Sequence, residues 1–181
     1  MTTKNTGSPL LKVFDGKGKN PDRFWYGCGH TPVGPGVIVA CDQTVLALWL
    51  GNRDSVAALQ VINAKYHACV QRRDDPLAEH LLDQVFSGDV DGLELGVAGS
   101  DFDLRVWNML LEIRPGMTVS YSALAQRLGI PKAARAVGSA LARNCIGYLI
   151  PCHRVIRADG TISRYRWGAD VKQALLAWER A

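Results

Sequence analysis

Five cysteines lie along the 181-residue chain, at positions 28, 41, 69, 145 and 152, and Cys152 has the neighbours best suited to chemistry. It follows the helix-breaking Pro151, precedes His153, and sits in the most basic stretch of the sequence. The thiolate is the reactive form of cysteine, and positive neighbours or a hydrogen-bonded histidine lower the thiol pKa from about 8.5 toward it. Adjacent side chains do not readily face each other, so a proton leaving Cys152 for His153 is expected to pass through a water. Glu179 is the candidate to hold the imidazole from its far side, completing a chain of nucleophile, base and carboxylate. Spacing alone leaves this open against a packing role for the thiol. Cys28, Cys41 and Cys69 read as small packing residues. Cys28, His30 and Cys41 could in principle be metal ligands, but their spacing matches no zinc pattern, so no metal site is expected.

The charge around Cys152 points to a partner. The net charge is only +4, but it is unevenly spread. Residues 1 to 100 carry 9 basic and 11 acidic side chains, whereas 101 to 181 carry 12 and 6. Between 114 and 166, nine Lys/Arg face only Asp159. Such a field is the footprint of a polyanion, with a solvated basic face as the plain alternative. A composition of 48% hydrophobic and 21% charged residues excludes dominant disorder. No apolar run reaches the roughly 20 residues of a membrane helix, and the first residues hold no secretory apolar core. An odd number of scattered cysteines without a CxxC pair fits free thiols in a reducing compartment, here expected to be the cytoplasm.

The elements that must hold this site follow from pattern. Residues 1 to 22 are polar and Gly/Pro/Lys-rich, and read as a mobile tail. Two apolar runs, 37 to 41 and 44 to 50, joined by Asp42-Gln43, predict a hairpin. Asp54 is expected to cap a helix reaching about Lys65, a second helix spans about 76 to 86, and a short strand lies near 92 to 95. This first half reads as an α/β scaffold. In the second half, helical spacing runs from 102 to 113 and stops at Pro115-Gly116. A short helix over 121 to 128 ends at Gly129. Pro131 then stands where the first residue of another helix, running through Arg143, is expected. Helix, glycine turn, helix is the helix-turn-helix spacing. The second helix is rich in small residues (Ala133, Ala134, Ala136, Gly138, Ser139, Ala140, Ala142), from which Arg135 and Arg143 project. That thin rod suits close approach either to another helix or to a nucleic-acid groove. Beyond Cys152, residues 161 to 165 are expected to return as a strand of a wing-like hairpin, and Asp170 to cap a C-terminal helix carrying Lys172 and Glu179.

The segment IPCHRVI, preceded by SYSALA and PKAARAVGSALARN and followed by DGTISRYRWG, resembles the O6-alkylguanine-DNA alkyltransferase family. The resemblance runs from about Phe102 to Glu179 and is closest to bacterial proteins and the C-terminal half of the Ada-type adaptive-response regulator. It implies an RNase H-like α/β domain over 23 to 97, followed by a mainly α winged helix-turn-helix domain over 98 to 181. It also implies a suicide repair reaction without a cofactor. The protein would bind double-stranded DNA containing O6-alkylguanine in the minor groove as a monomer, with cooperativity on DNA left open. The damaged base is flipped out, since its oxygen is unreachable inside the stack. By position, Cys152 is the alkyl acceptor, His153 its base through a water, and Glu179 the residue orienting His153. Asn144 matches the hinge residue. Tyr121 matches the residue that rotates the nucleotide's phosphate and hydrogen-bonds guanine N3. Arg135 matches the finger that fills the vacated stack, a task suited to a planar guanidinium. Val155 would offer its carbonyl to the guanine amino group, with Tyr165, Arg166, Trp167 and Lys172 around the pocket. Lys132, Ala133, Ala134, Gly138, Ser139 and Arg143 complete the expected DNA face.

The sequence departs from the family at several places. Arg164 and Trp167 stand where relatives often have glycine, so methyl adducts should be accepted and benzyl-sized ones poorly. Cys145 and Gly147 replace residues that are often proline. The four-cysteine cluster that repairs phosphotriesters in the Ada regulator is not found, so that activity is not expected. Three other readings remain: a non-catalytic module that binds alkylated DNA, a winged-helix transcription regulator, and a cysteine hydrolase. The first lacks Cys152 in its known form, the second has few base-reading side chains here, and the third shows no oxyanion motif.

Overall fold

The computed structural model describes residues 9–13, 24–51, 55–66, 70–162 and 164–181. The chain divides into two compact units, one ending at Ala98 and the other spanning Gly99–Ala181.

The first unit is a mixed six-stranded sheet with two helices. Its strands are β1 (Leu10–Val13), β2 (Phe24–Thr31), β3 (Gly34–Cys41), β4 (Thr44–Leu50), β5 (Val70–Arg73) and β6 (Glu94–Val97). Their spatial order is β1-β6-β4-β3-β2-β5. The expected hairpin is β3–β4, turned at Asp42, whose φ of 49° is a left-handed conformation that a short polar side chain tolerates. Val37, Ile38, Val39 and Ala40, with Val45, Leu46, Ala47 and Leu48, are fully buried, as in a sheet covered on both faces. Helices α1 (Ser55–Tyr66) and α2 (Asp75–Ser87) pack on it. Helix α2 comes so close to β2 that a Cβ at Gly27 would lie 2.4 Å from the Asp74 carbonyl oxygen. Asp74 caps α2 and Gly88, at φ 81°, ends it.

The second unit is mainly helical. It contains α3 (Asp101–Leu111), a strand β7 (Val119–Ser120), α4 (Tyr121–Arg127), α5 (Ala134–Ala142), a 3-10 turn (Cys152–Arg154), a strand β8 (Val155–Ile156) and α6 (Ala169–Trp178). Gly129, at φ 76°, terminates α4, with Ile130 N donating to the Ala125 carbonyl at 3.0 Å. The α4–turn–α5 pair thus forms as the spacing requires. The small residues of α5 allow close helix packing: Val137 and Ala140 are buried, and the Trp107 indole of α3 donates to the Ala140 carbonyl at 3.1 Å. At the start of α3, Ser100 and Asp103 form a reciprocal capping box.

The structure corrects several expectations. Residues 10–13 of the supposed tail form a strand parallel to β6, because the exposed run LLKV finds an open sheet edge there. Pro131 is not the first residue of α5. Ala133 N first closes a turn onto the Ile130 carbonyl at 2.8 Å, and the helix starts at Ala134. Residues 161, 162, 164 and 165 are not a strand. Instead a tight turn is closed by Arg157 N on the Thr161 carbonyl (3.1 Å) and by Asp159, while β8 pairs in parallel with β7. Asp170 lies in the first turn of α6 rather than at its cap, which is Gly168. The strand expected near 92 to 95 lies two residues later, after a turn at Gly92. Cys28 and Cys41 are half-buried rather than core residues. Asp54 and Cys69 lie outside the described residues.

Asp103 joins two functions. It caps α3 and takes both oxygens' worth of hydrogen bonds from Arg143 Nε, each at 3.1 Å, at the end of α5. Burial would raise its pKa, but Arg143 and Ser100 outweigh that and hold the carboxyl below its ordinary value. Asp103→Ala should cost about 2 kcal/mol, from a lost cap and a half-exposed ion pair. Urea unfolding of the full chain measures this. The wild-type advantage should fade as pH drops below the ordinary aspartate pKa toward the depressed one, because both states then bind the proton.

Candidate active site

The loop after α5 is organised by one amide. Asn144 is buried, and its Oδ1 accepts from Ile146 N at 2.9 Å. Its Nδ2 lies 3.2 Å from the Ile146 carbonyl, 3.0 Å from that of Ile150, and 3.2 Å from Cys152 Sγ. The side chain therefore supplies the polar partners that a buried loop lacks, and aims one N–H at the sulfur. The residues before Pro151 turn rather than extend, with Ile150 N donating to the Ile146 carbonyl at 3.2 Å, and the 3-10 turn that follows puts Cys152, His153 and Arg154 at the base of α6.

Cys152 lines a cavity of about 320 Å³ together with Tyr121, Gly138, Leu141, Tyr165, Arg166 and Lys172. A Cβ at Gly138 would meet the Tyr121 ring at 3.6 Å, so α5 lies against that ring without steric conflict. Lys172 is buried and donates to the Val155 carbonyl at 2.6 Å. Its Nζ is 5.8 Å from the centre of the Tyr165 ring, on which Trp167 packs edge-on at 5.1 Å. Arg166 donates to the Ala142 carbonyl at 2.7 Å, tying the pocket lip to the end of α5.

Behind the sulfur lies a buried charge network. His153 is fully buried, and its Nε2 is 2.8 Å from Glu179 Oε1. An ionised carboxylate only accepts, so Nε2 carries the proton and the neutral ring has its lone pair on Nδ1. That Nδ1 is buried and finds no protein partner among the described residues. It is the polar atom that a water between ring and thiol would satisfy. Glu179 is held from other sides by Arg154 Nε (3.0 and 3.1 Å) and Nη2 (2.7 Å), and by Gly116 N at 3.2 Å. Arg154 also donates to the Ile113 carbonyl.

The protonation states follow. Burial opposes ionisation of Glu179, but His153 and Arg154 override it and hold its pKa at about 2. Burial pushes His153 below the ordinary imidazole value, against the pull of Glu179, so the ring is neutral at neutral pH. Burial pushes the Cys152 thiol up, with Asn144 and Lys172 opposing. Burial also lowers Lys172, to about 8, while the nearby thiol works the other way. At rest this is a protonated thiol beside a neutral base, under a buried amine.

The structure thus brings together Cys152, His153, Glu179, Asn144, Tyr121, Val155, Tyr165, Arg166, Trp167 and Lys172. On α5 and the turn before it, Lys132, Arg135 and Ser139 are exposed, while Ala133, Ala134 and Gly138 are half-buried. Arg143 is exposed as well, and its guanidinium is also paired with Asp103. Two residues escaped the sequence reading. Arg154 lies inside the recognised PCHRV run, yet its partner, 25 positions away, is visible only in three dimensions. Tyr148, whose ring stacks on His153, carried no signal at all.

Residues 101–181 match the family model of the 6-O-methylguanine DNA methyltransferase DNA-binding domain. A methylated-DNA–protein-cysteine methyltransferase of Kluyveromyces lactis is 48% identical over 83 residues, which cover 46% of this chain and 44% of that protein. The protein of the same name from Methanosarcina barkeri is 44% identical over 161 residues, 86% of this chain and 97% of its own length. Thus the chain spans under half of the first relative but nearly all of the second. Among solved structures, Mycobacterium tuberculosis OGT in complex with DNA superposes with a TM-score of 0.68 at 34% identity, covering 86% of this chain and 92% of that one. With a near full-length relative at this identity, the chain belongs to the methylated-DNA–protein-cysteine methyltransferase family.

Proposed function

We propose that the protein repairs O6-alkylguanine in double-stranded DNA by moving the alkyl group irreversibly to Cys152. The observation that carries this reading is the buried thiol at the cavity wall, backed by a neutral imidazole whose unpartnered Nδ1 is anchored through Nε2 to an ionised Glu179. The Cys152 proton passes through a water to His153 Nδ1. The thiolate, supported by Asn144 Nδ2 and the Lys172 charge, attacks the alkyl carbon in line with the O6–C bond. An S–C bond forms as the C–O bond breaks, and guanine takes up one proton for the one the thiol has lost. Tyr121 donates to guanine N3 and so improves the leaving group. The Val155 carbonyl keeps a second lone pair beside Lys172 for the guanine amino group.

Residues 23–97 form an RNase H-like scaffold in this reading. Supporting it are the antiparallel run β2-β3-β4 and the parallel addition of β5 to β2. Residues 98–181 are a helix-turn-helix domain of winged type, its wing reduced to the turn near Asp159. The exposed Arg135 enters the base stack from α5, and Lys132 with Ser139 contacts the backbone, so affinity rests on phosphates and shape rather than base sequence. The reaction uses only groups of the chain, requires no metal or cofactor, and suits a monomer in the reducing cytoplasm.

Mixing the protein with duplex DNA containing O6-methylguanine should add the mass of one CH2 group per molecule, on the peptide holding Cys152. Cys152→Ala should bind the same DNA and gain nothing. Multiple turnovers would instead indicate a hydrolase, and sequence-specific footprints a regulator. Because His153 must be neutral, the transfer rate should hold through neutral pH and fall only below the ordinary imidazole value of about 6.5. Glu179→Gln should abolish that base and leave Arg154 buried without its charge partner, destabilising the fold by about 3 kcal/mol or more. Free benzylguanine should inactivate the protein far more slowly than methylated DNA does, and Trp167→Gly should narrow that gap by opening the wall against Tyr165. Equal rates for the two substrates in the wild type would exclude a role for Trp167 in adduct size.

A further inference from the structure

The loop between Asn144 and Cys152 contains a backbone conformation that its sequence does not favour. Tyr148 has a φ of 61°, in the left-handed region, although Gly147 stands directly before it. An L-residue with a large side chain is strained there, and such outliers persist only when their surroundings demand them. The demand comes from the ring. It lies nearly parallel to His153, with 6.1 Å between centroids and 16° between planes. It also packs edge-on to Trp178, at 5.5 Å and 66°. Trp178 is the last residue of α6 and directly precedes Glu179. Tyr148 is therefore wedged between the imidazole and the helix end that carries its carboxylate.

The Glu179 hydrogen bond holds the imidazole only at Nε2. A single hydrogen bond fixes one atom and leaves the plane of the buried ring to be set by what packs on its faces. A tilt swings the Nδ1 lone pair away from the thiol. We propose that Tyr148 is a positioning residue for proton transfer: its ring, forced into place by a strained backbone, fixes the plane of His153 so that Nδ1 faces the path to Cys152. This rests on the alkyl-transfer reading above. Burial and the Glu179 charge raise the Tyr148 phenol's own pKa, so the stacked ring stays neutral. The charged or titrating groups around the imidazole are Glu179 and Lys172, from α6 and its end, and Cys152 and Arg154 on the 3-10 turn.

The test uses the full chain with Tyr148→Phe, Tyr148→Leu and Tyr148→Gly. Three quantities are measured: the single-turnover rate of methyl transfer against pH, the imidazole tautomer of His153 by ¹⁵N NMR, and the melting temperature. Phe keeps the stacked face, so its rate should stay within about twofold of wild type. Leu and Gly should lose about tenfold or more in rate, a fraction of what general-base catalysis contributes. A tilted ring also bends Nε2–H away from the Glu179 carboxylate and weakens the bond that fixes the tautomer, so both should also give His153 a mixture of tautomers and a shifted pH midpoint. Gly relieves the backbone strain, so it should fold at least as readily as Leu and separate lost positioning from lost stability. A merely structural role would lower the melting temperature while leaving tautomer and pH midpoint in place, and would overturn the proposal. So would a Phe variant as slow as Leu. If wild type takes no methyl from DNA, the repair reading fails, yet the tautomer of His153 in the three variants still decides what Tyr148 does.

Discussion

The site depends on keeping one carboxylate ionised inside the protein. Glu179 sits at the end of α6, buried, where an isolated charge would be costly. Arg154, His153 and the Gly116 amide occupy its oxygens, and the hydrogen bonds from His153 and Arg154 keep a proton off. The consequences run outward from there. An ionised Glu179 fixes the proton of His153 on Nε2, which leaves Nδ1 as the base. Arg154 also holds the Ile113 carbonyl beyond the end of α3, so the charge that supports the chemistry also ties together the start and end of the C-terminal unit. Breaking one partner strands another buried charge, so fold and reactivity fail together.

The sequence revealed those parts of the site whose residue types carry their own chemistry. A Cys-His pair in a basic field is a local signal that led to Cys152 and His153, and a glycine between two short helices led to the α4–turn–α5 pair, whereas Asn144, Tyr121, Val155 and Lys172 followed only from the resemblance of the surrounding run to a known family. The parts that stayed hidden are those set by tertiary competition. The pairing of Arg143 with Asp103, 40 residues earlier, carries no sequence signal, because it joins the end of α5 to the start of α3 in space. The run LLKV looked like tail because it lacks alternation, but a sheet edge with an unpaired strand accepts such a segment through its backbone alone. The expected strand over 161 to 165 failed for the opposite reason. Asp159 satisfies the backbone and hydroxyl of Thr161 locally, so the turn needs no partner strand.

Under the proposed alkyl transfer, burial of the acceptor sulfur resolves a difficulty particular to a protein that would be spent by one reaction. A thiolate kept permanently exposed would react with any alkylating or oxidising agent, and each such event would remove a molecule without repairing anything. Here burial keeps the resting Cys152 protonated, and the groups that could ionise it, Asn144 Nδ2 and the Lys172 ammonium, are held ready but insufficient. Ionisation then requires the proton to reach His153 Nδ1, an atom enclosed behind the sulfur rather than open to solvent. A flipped base filling the cavity would exclude bulk water from the sulfur, which strengthens the hold of Lys172 and Asn144 on the developing negative charge. Reactivity is thereby confined to the moment when the substrate carbon is in place, and the same low-dielectric surroundings that suppress the thiolate at rest steepen its stabilisation once the proton has gone.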